Sequence, residues 1–220
     1  MTASVLDALK RWWPAAPAPD EARWVVLDVE SSGLDPHHDR LLAIAAIGVQ
    51  ITPDRALIAP GDSFEVVLKQ PDRTTADKDN ILVHGIGLGA QRSGMPPAQA
   101  LSAFEQFAGA SPLVAFHAAF DRALIERASR AHLGRSGRHA WLDLEPLAAV
   151  LHPQVRSRAL DDWLAHFCIG VAVRHQAAAD ALATAELLLK LWPAVRAQRP
   201  RPDFRAVQAL AAQRRWLASG

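Results

Sequence analysis

The sequence predicts a single α/β domain, built on a mixed β-sheet with helices packed against it. Half of the 220 residues are apolar, which is enough to bury one sizeable core but little for two ordinary domains. Three strand-like segments come first, at residues 24–30, 41–51 and 63–68, and would form a meander. Short apolar strands then alternate with segments of helical periodicity, and this order is typical of a mixed sheet flanked by helices.

The first strand shows the clearest alternation, because Val25, Leu27 and Val29 fall on one face at a period of two. After a loop rich in Asp, Gly and Pro, apolar residues recur every three to four positions, which predicts helices. Gly170 and the prolines at positions 193, 200 and 202 separate the last three of them. In order, we predict a helix at 98–108, a strand at 113–116, a helix at 120–133, a short strand at 141–143, and helices at 159–167, 177–192 and 203–217.

The two ends of the chain differ from its middle in composition. Residues 1–22 combine an amphipathic lead, which contains Trp12 and Trp13, with a linker rich in Pro and Ala. Residues 23–192 carry the predicted sheet and its helices. We therefore divide the chain into a lead and linker at 1–22, the main domain at 23–192 and a basic helical extension at 193–220.

The net charge of +1 excludes a globally basic protein, so affinity for a polyanion has to come from local clusters. One cluster of arginines lies between residues 127 and 138, and another crowds the C-terminal segment. The first consists of Arg127, Arg130, Arg135 and Arg138. Each of these arginines, taken alone, also fits a solvated surface position.

Signals for export and for membrane insertion are weak. Asp7 and Lys10 interrupt the apolar residues where a signal peptide needs an unbroken run. The longest apolar run, at 41–49, is far too short to span a bilayer. Cys168, the single cysteine, lies in an apolar stretch and is expected to be a buried, inert thiol. These features predict a soluble protein of the reducing cytoplasm with no membrane partner.

Asp28 and Glu30 stand two residues apart on the first strand, so both side chains share the face that lies opposite Val25, Leu27 and Val29. Two neighbouring carboxylates repel each other and raise each other's pKa unless a cation lies between them. An exposed strand end would explain the pair equally well.

Asp121 and Asp180 share the apolar stripes of two predicted helices. Asp121 precedes Leu124 and Ile125 by three and four residues, although an aspartate there could also cap the helix. Asp180 precedes Leu187 by seven residues, and a charge on such a stripe is costly unless it is paired or binds a metal.

Four acidic groups on the apolar faces of three elements form the ligand set that hard divalent cations need, since Mg²⁺ and Mn²⁺ prefer oxygen ligands. The set suits two metal ions that bind the attacking and leaving oxygens of a phosphodiester. His175 lies five residues before Asp180, which places it on the preceding loop if it reaches the same site. An imidazole there could take a proton from the attacking water, although a lone histidine before a helix is more often a surface or capping residue.

Three segments of the chain, in order, resemble the motifs of the DEDDh family of 3′-to-5′ exonucleases. They are LDVESSGLDP at 27–36, VAFHAAFD at 114–121, and RHQAAADA at 174–181 with Thr184, Ala185 and Glu186 after it. The sequence VHGI at 83–86 also resembles a family segment that lines the nucleotide pocket. The resemblance covers roughly residues 23–192, and three ordered motifs are far more specific than one.

The resemblance implies a ribonuclease-H-like fold and a role for each matching residue. Asp28, Glu30, Asp121 and Asp180 would hold two Mg²⁺ or Mn²⁺ ions, and His175 would be the general base. The substrate, a single-stranded 3′ end of DNA or RNA, would lose nucleoside monophosphates. The residues implied to contact it are Ser31, Ser32, Gly33, Leu34, His84, Phe116 and His117.

Two departures from the family motifs affect these expectations. Ser31 and Ser32 stand where the family has threonines and keep the hydroxyl groups. Phe116 and His117 replace the usual His-Asn pair, which leaves open how the second motif is supported. The family variant with tyrosine in place of the catalytic histidine is excluded, because the chain contains no tyrosine.

Two other functions compete with this interpretation. The stretch GIGLGA at 85–90 fits a dinucleotide-binding fingerprint, but Pro96 and Pro97 follow it closely and its context is poor. A non-catalytic protein on the same fold could also bind single strands through arginines and tryptophans. No clamp-binding peptide is evident in the C-terminal tail, so a polymerase partner, like a homo-oligomer, has no support in the sequence.

Overall fold

The computed structural model describes residues 22–52, 54–71 and 85–214. A five-stranded sheet forms its centre, with the strand order β3-β2-β1-β4-β5. Its strands are β1 (Arg23–Ser31), β2 (Leu41–Ile51), β3 (Ala56–Val67), β4 (Leu113–Ala115) and β5 (Trp141–Asp143). The first three strands form an antiparallel meander, whereas β4 runs parallel to β1 and β5 parallel to β4. The predicted mixed sheet is confirmed.

Helices cover both faces of the sheet, as predicted. They are α1 (Leu88–Ser93), α2 (Pro97–Ala108), α3 (Ala118–Leu133), α4 (Leu144–Leu151), α5 (Leu160–His166), α6 (Ala177–Gln198) and α7 (Phe204–Ala212). Helices α2 and α3 contribute to the core on one face, and α4, α6 and α7 contribute to the core on the other.

The alternation of β1 decides which side chains face which helices. Val25, Leu27 and Val29 are buried in the core against α2 and α3, while Trp24 and Val26 belong to the core on the opposite face. This confirms the predicted face of the strand. The two carboxylates of β1 therefore face the side of the sheet that α6 covers.

Helix α6 is longer than the sequence suggests. The expected end at Trp192 is wrong, because the helix continues through Pro193 to Gln198. A proline inside a helix costs roughly 3 kcal/mol. Trp192 and Val195 are both buried on either side of it, so packing on the core holds the helix together. The boundary at residue 192 consequently falls inside a helix, and the division into 1–22, 23–192 and 193–220 stays a proposal.

Three further details differ from the expectations. Strand β3 starts at Ala56 rather than at residue 63, and α4 was not anticipated from the sequence. Cys168 is exposed rather than buried. It takes a left-handed conformation (φ 54°) in the turn after α5, and Ile169, its neighbour, takes the inward position instead. The thiol therefore faces outward, contrary to expectation.

Two expectations cannot be compared with the structure. The amphipathic lead with Trp12 and Trp13 lies outside the described residues, and so does His84. Within the described part of the chain, no helix is both long enough and apolar enough to cross a membrane.

Candidate active site

Strand β1 presents the first two carboxylates near its C-terminal end. Asp28 lies opposite Ala45 of β2, and Glu30 lies opposite Ala43. Neighbouring strands are about 4.8 Å apart, so a large residue at either position of β2 would crowd the carboxylate beside it. The small alanines leave room for the two acidic side chains on this face.

Two helices bring the remaining carboxylates to the same place through their first turns. Asp121 lies in the first turn of α3, and Asp180 lies in the first turn of α6. Both residues are only 5% exposed. The positive end of a helix dipole favours an acidic group in the first turn, which offsets part of the cost of burying it.

The side chains of Asp28, Glu30 and Asp180 converge. One carboxylate oxygen of each lies within 4.8 Å of the others. Burial raises the pKa of Asp121 well above its usual range, and the charge of nearby Asp28 raises it further. The four residues form what we call the carboxylate cluster, and the structure brings together all four acids that the sequence singled out.

Burial and mutual repulsion both act on this cluster. Burial, followed by the charge of Asp180, raises the pKa of Asp28 to about 8. Burial, followed by the charges of Asp28 and Asp180, raises the pKa of Glu30 to about 8 as well. Carboxylates in this state hold protons unless a cation joins them.

These shifts predict how the metal-free protein responds to pH. The folded state binds the protons of Asp28 and Glu30 more tightly than the unfolded chain does, so the free energy of unfolding falls as pH rises from about 4 to about 8. We expect the Tm in a chelator to decrease over this window, and to decrease less in Asp28→Asn. An equal pH dependence for the two proteins would contradict the shift assigned to Asp28.

The cluster fits a divalent cation. Its donor atoms are carboxylate oxygens, the ligands that Mg²⁺ and Mn²⁺ prefer. Oε1 of Glu30 is buried and has no hydrogen-bond partner among the described residues. A buried acceptor without a partner is costly, and a bound cation would satisfy it.

Arg174 supplies a positive charge to the cluster that the sequence analysis did not anticipate. Its Nη1 donates a hydrogen bond to Oδ1 of Asp180, and its Nε donates to Oδ1 of Asp161 at 2.5 Å. The guanidinium also lowers the pKa of Asp28 and of Glu30, against the larger effect of burial. An arginine thus faces the carboxylates.

His175, the predicted general base, meets the cluster through its main chain. Its backbone N–H donates to Oδ2 of Asp180 at 3.0 Å, and the residue as a whole is exposed. Its φ of 60° lies in the left-handed region, which is uncommon for a residue with a side chain. The structure therefore places His175 on the loop before α6, as expected, with the imidazole at the surface.

The second motif is supported by Asp143, a residue that the sequence analysis missed. His117 takes a left-handed conformation (φ 59°, ψ 44°) as the N-cap of α3, a conformation in which both Asn and His are enriched. Its backbone N–H donates to Oδ1 of Asp143 at 2.9 Å, and its Nε2 lies 2.9 Å from the carbonyl oxygen of Arg158. The ring of Phe116 packs edge-on against the His117 imidazole, with centroids 4.7 Å apart. His117 can therefore take the backbone position of the family's asparagine.

The loop after β1 is held by hydrogen bonds to Asp39. Ser32 donates its hydroxyl to Oδ1 of Asp39 at 2.9 Å, and Ser31 donates to the carbonyl of Gly33 at 2.6 Å. A Cβ on Gly33 would lie 2.4 Å from Oδ2 of Asp39, so the close approach of this carboxylate requires glycine. Leu34 is 92% exposed, which leaves its whole side chain available for contact with a ligand.

Three supporting residues were missed because no local pattern marks them. Asp39 and Asp143 act through contacts with loops, and Arg174 acts across the cluster. A signal existed only for Asp143, which follows a short apolar strand and begins a helix, where aspartate is a favoured cap. Its carboxylate does cap α4, by accepting from the N–H of Glu145 at 3.0 Å.

The arginines between 127 and 138 have different surroundings. Arg130 is paired with Glu126, and Arg135 is paired with Glu105. Arg127 instead lines a cavity of about 510 Å³. The full lining consists of Arg40, Leu41, Leu68, Lys69, Gln70, Pro71, Pro97, Arg127, Ala128, Ala131 and His132. Its lining combines apolar side chains with the basic side chains of Lys69 and Arg127.

The glycine-rich stretch at 85–90 does not form a dinucleotide site of the usual kind. A short helix, α1, begins inside it but ends at Ser93 after six residues. The preceding strand β3 is antiparallel to β2, whereas the dinucleotide fold needs a parallel strand leading directly into a long helix. The geometry does not favour this alternative.

Comparison with known proteins identifies a matching family and several relatives. The family model RNase_T, described as Exonuclease, matches residues 25–188, well over half of the chain. A DNA polymerase III subunit epsilon-like protein of Rhodobacter capsulatus is 31% identical over 188 residues, which cover 81% of this chain and 25% of that protein. The PolC-type DNA polymerase III of Latilactobacillus sakei is 27% identical over 175 residues, which cover 78% of this chain and 11% of the polymerase. The chain therefore spans only about a tenth to a quarter of these curated relatives.

Solved structures of exonuclease I share the fold. One covers 87% of this chain with a TM-score of 0.69 and 18% identity, and the match spans 44% of that protein. Another, E. coli exonuclease I in complex with a dT13 oligonucleotide, covers 82% of this chain with a TM-score of 0.67 and 18% identity, over 42% of that protein. These similarities confirm the ribonuclease-H-like architecture. The family model shows that the chain belongs to the RNase_T exonuclease family, in agreement with the DEDDh-type motifs of its sequence.

Proposed function

We propose that this protein is a metal-dependent 3′-to-5′ exonuclease that releases nucleoside monophosphates from single-stranded nucleic acid. The observation that carries the proposal is the convergence of Asp28, Glu30 and Asp180, whose oxygens lie within 4.8 Å of one another. Buried carboxylates this close are unfavourable in the absence of a cation. Asp121 completes a set of four acids whose positions match the motifs of the family.

The carboxylate cluster would hold Mg²⁺ or Mn²⁺, and we propose two ions per site. When bound, such ions neutralise charge on a phosphodiester and lower the pKa of a water molecule. The chain's own contribution is to fix four oxygen donors on three rigid elements, β1, α3 and α6. Asp143 and Asp39 add to this rigidity, because they hold the loops on either side of the cluster.

His175 is proposed as the general base. It is exposed, and its main chain is tied to Asp180, so rotation of its side chain can bring the imidazole toward a water molecule at the cluster. A neutral imidazole can accept the proton of the attacking water near neutral pH. Its positive φ is a local strain of the kind that is found at active sites.

The loop after β1 is the proposed contact surface for the terminal nucleotide. Leu34 projects from this loop and could stack against a base, because an exposed apolar side chain of this size gains from covering an aromatic face. We also propose Ser31, Ser32, Gly33, His84, Phe116 and His117 as substrate contacts. Phe116 and His117 lie at the start of α3, four to five residues from Asp121.

Single-stranded DNA is the first substrate to test. Exonuclease I, which shares the fold, has been solved with DNA oligonucleotides, and the curated relatives are DNA polymerase III proteins. This likeness comes from proteins much longer than the chain, so RNA remains part of the proposal. Discrimination would depend on contacts to the 2′-hydroxyl.

The basic cavity beside α3 is a proposed path for the strand upstream of the cleaved bond. Its wall includes Leu41, which lies opposite Ser31 in the sheet, so the cavity adjoins the loop after β1. Arg127 and Lys69 in its lining suit phosphate groups, and its apolar lining residues suit a base. Arg135 pairs with Glu105 and is not part of the cavity lining.

Replacing Arg127 and Lys69 together with glutamine is expected to weaken the binding of longer single strands. Each lost phosphate contact should flatten the slope of log affinity against log salt by about 0.7 for a single strand. Fluorescence anisotropy with labelled oligomers in a chelator measures binding without hydrolysis. The matched control replaces Arg130 and Arg135, which removes the same charge from arginines that already have partners. Equal salt slopes for the two double variants would show that Arg127 and Lys69 contribute no more to strand binding than paired surface arginines do.

Polarity and sugar preference are tested with matched DNA and RNA oligomers that carry the label at the 5′ end. A 3′-to-5′ enzyme shortens the labelled strand one nucleotide at a time, and a blocking group at the 3′ terminus stops it. Immediate release of the labelled terminal nucleotide would indicate attack from the 5′ end. A change of mobility without shortening would indicate a binding protein instead.

A further inference from the structure

Arg174 is placed differently from the other arginines of the described chain that form ion pairs, because it reaches the carboxylate cluster itself. Its guanidinium bridges Asp161 on α5 and Asp180 on α6, and its side chain is only 28% exposed. The Asp180 side chain is 7% exposed. A charge-assisted hydrogen bond to so buried a carboxylate is among the stronger polar contacts in proteins.

The cluster needs a cation when no metal is bound. Without a positive charge nearby, four carboxylates in a small volume would repel one another or take up protons. The positive charge of Arg174 counteracts this, since it acts on Asp28 and Glu30 as well as on its direct partner Asp180. Arg174 therefore stabilises the folded, metal-free state.

The same contact opposes metal binding. Oδ1 of Asp180 accepts from Arg174, and Asp180 is also one of the three residues whose oxygens converge within 4.8 Å. A divalent cation at this carboxylate and a guanidinium bonded to it would be two positive charges side by side, so each opposes the binding of the other.

We propose that Arg174 is the resident cation of the metal-free site and that it must leave Asp180 for a divalent cation to bind. This inference shares one assumption with the proposed function, namely that the carboxylate cluster is the metal site. After Arg174 leaves Asp180, its Nε can still donate to Asp161, because that carboxylate lies outside the cluster. Arg174 is thus a positioning residue that sets how readily the site fills.

Release of Arg174 also concerns the loop that carries the proposed base. Arg174 and His175 are adjacent in the chain, and both are tied to Asp180 in the metal-free state, one by its side chain and the other by its backbone N–H. Departure of Arg174 leaves the backbone hydrogen bond of His175 to Oδ2 of Asp180 in place, so the loop keeps one of its two contacts with the cluster.

The competition has a measurable size. If Arg174 occupies Asp180 in nine of ten molecules, the apparent affinity for metal is lowered by about tenfold, because only the open fraction can bind. Arg174→Gln should therefore bind Mn²⁺ on the order of tenfold more tightly than the wild type. In the absence of metal, the same variant should have a lower Tm, because the cluster loses its cation.

The test is isothermal titration of the full-length protein with Mn²⁺ alone, together with Tm measurements in a chelator and at saturating Mn²⁺. Arg130→Gln is the matched control, because it removes a surface arginine that pairs with Glu126 on α3. We expect a larger metal-induced rise in Tm for Arg174→Gln than for either the control or the wild type. Arg174→Lys keeps the positive charge without the planar, forked donor geometry of arginine. Its affinity for Mn²⁺ should lie between that of the wild type and that of Arg174→Gln.

Unchanged or weaker Mn²⁺ binding by Arg174→Gln would overturn the inference, and so would an unchanged Tm in chelator. Arg174→Lys keeps the inference testable if the glutamine variant does not fold, since a lysine variant that binds Mn²⁺ no more tightly than the wild type would also contradict it. Neither readout needs a nucleic acid. Tighter Mn²⁺ binding without hydrolysis of any oligomer would support the role of Arg174 and refute the proposed function.

Discussion

Asp28→Asn is expected to lower the rate of nucleotide release by about 10³-fold or more, because the loss of a metal ligand removes several kcal/mol of transition-state stabilisation. The change is nearly isosteric, so the fold should persist. In a chelator, the Tm near pH 8 should rise, because the repulsion and burial that raise the pKa of Asp28 to about 8 no longer destabilise the folded state. Turnover and Tm, measured on the same purified protein, check the predicted loss of rate and the predicted gain in stability.

The matched control for this experiment is Asp54→Asn, a change at an exposed aspartate that pairs with Arg196 away from the cluster. It should leave both the rate and the Tm close to those of the wild type. Asp180→Asn should abolish hydrolysis without the gain in Tm, because it takes a partner from Arg174 and from the His175 N–H. Near-wild-type turnover by Asp28→Asn would remove the basis for a metal site here.

His175→Ala should lower the rate by roughly 10²–10⁴-fold while the affinity for metal stays nearly unchanged, because only proton transfer in the transition state is lost. The reason is structural: four carboxylates form the proposed ligand set, and the contact of His175 with the cluster is through its main chain, which alanine keeps. Turnover against Mn²⁺ concentration at several pH values measures both quantities.

A ligand role for His175 makes a different prediction. Metal affinity would then fall together with activity, and excess Mn²⁺ at neutral pH would restore the rate of His175→Ala. Such a rescue would show that the assignment as a base is wrong. His166→Ala, at an exposed histidine in the last turn of α5, is the matched control and should leave the rate unchanged.

Local periodicity indicated the strands of the sheet and drew attention to the four acids that the structure brings together. Val25, Leu27 and Val29 mark one face of β1, so the opposite face of Asp28 and Glu30 follows from a period of two. Asp121 and Asp180 disrupt apolar helical stripes, which is an equally local signal. The structure buries both aspartates at 5% exposure and joins the elements that carry them.

Features that depend on distant contacts could not be read from periodicity. Asp161 and Arg174 are thirteen residues apart and meet only because α5 and α6 pack together. The support of His117 by Asp143 spans twenty-six residues. Pro193 predicts the end of a helix, yet burial of Trp192 and Val195 in the core keeps α6 continuous. In each case tertiary packing decides between local alternatives that the sequence leaves open.

The release of nucleoside monophosphates from a single-stranded oligomer, measured against Mn²⁺ and Mg²⁺ concentration for the wild type and for Asp28→Asn, tests the central claim most directly. We expect release that rises with metal to a plateau, stops in a chelator, and is lost in the variant at every metal concentration. Equal release with and without chelator, or equal release by the two proteins, would contradict the assignment of the carboxylate cluster as the catalytic metal site.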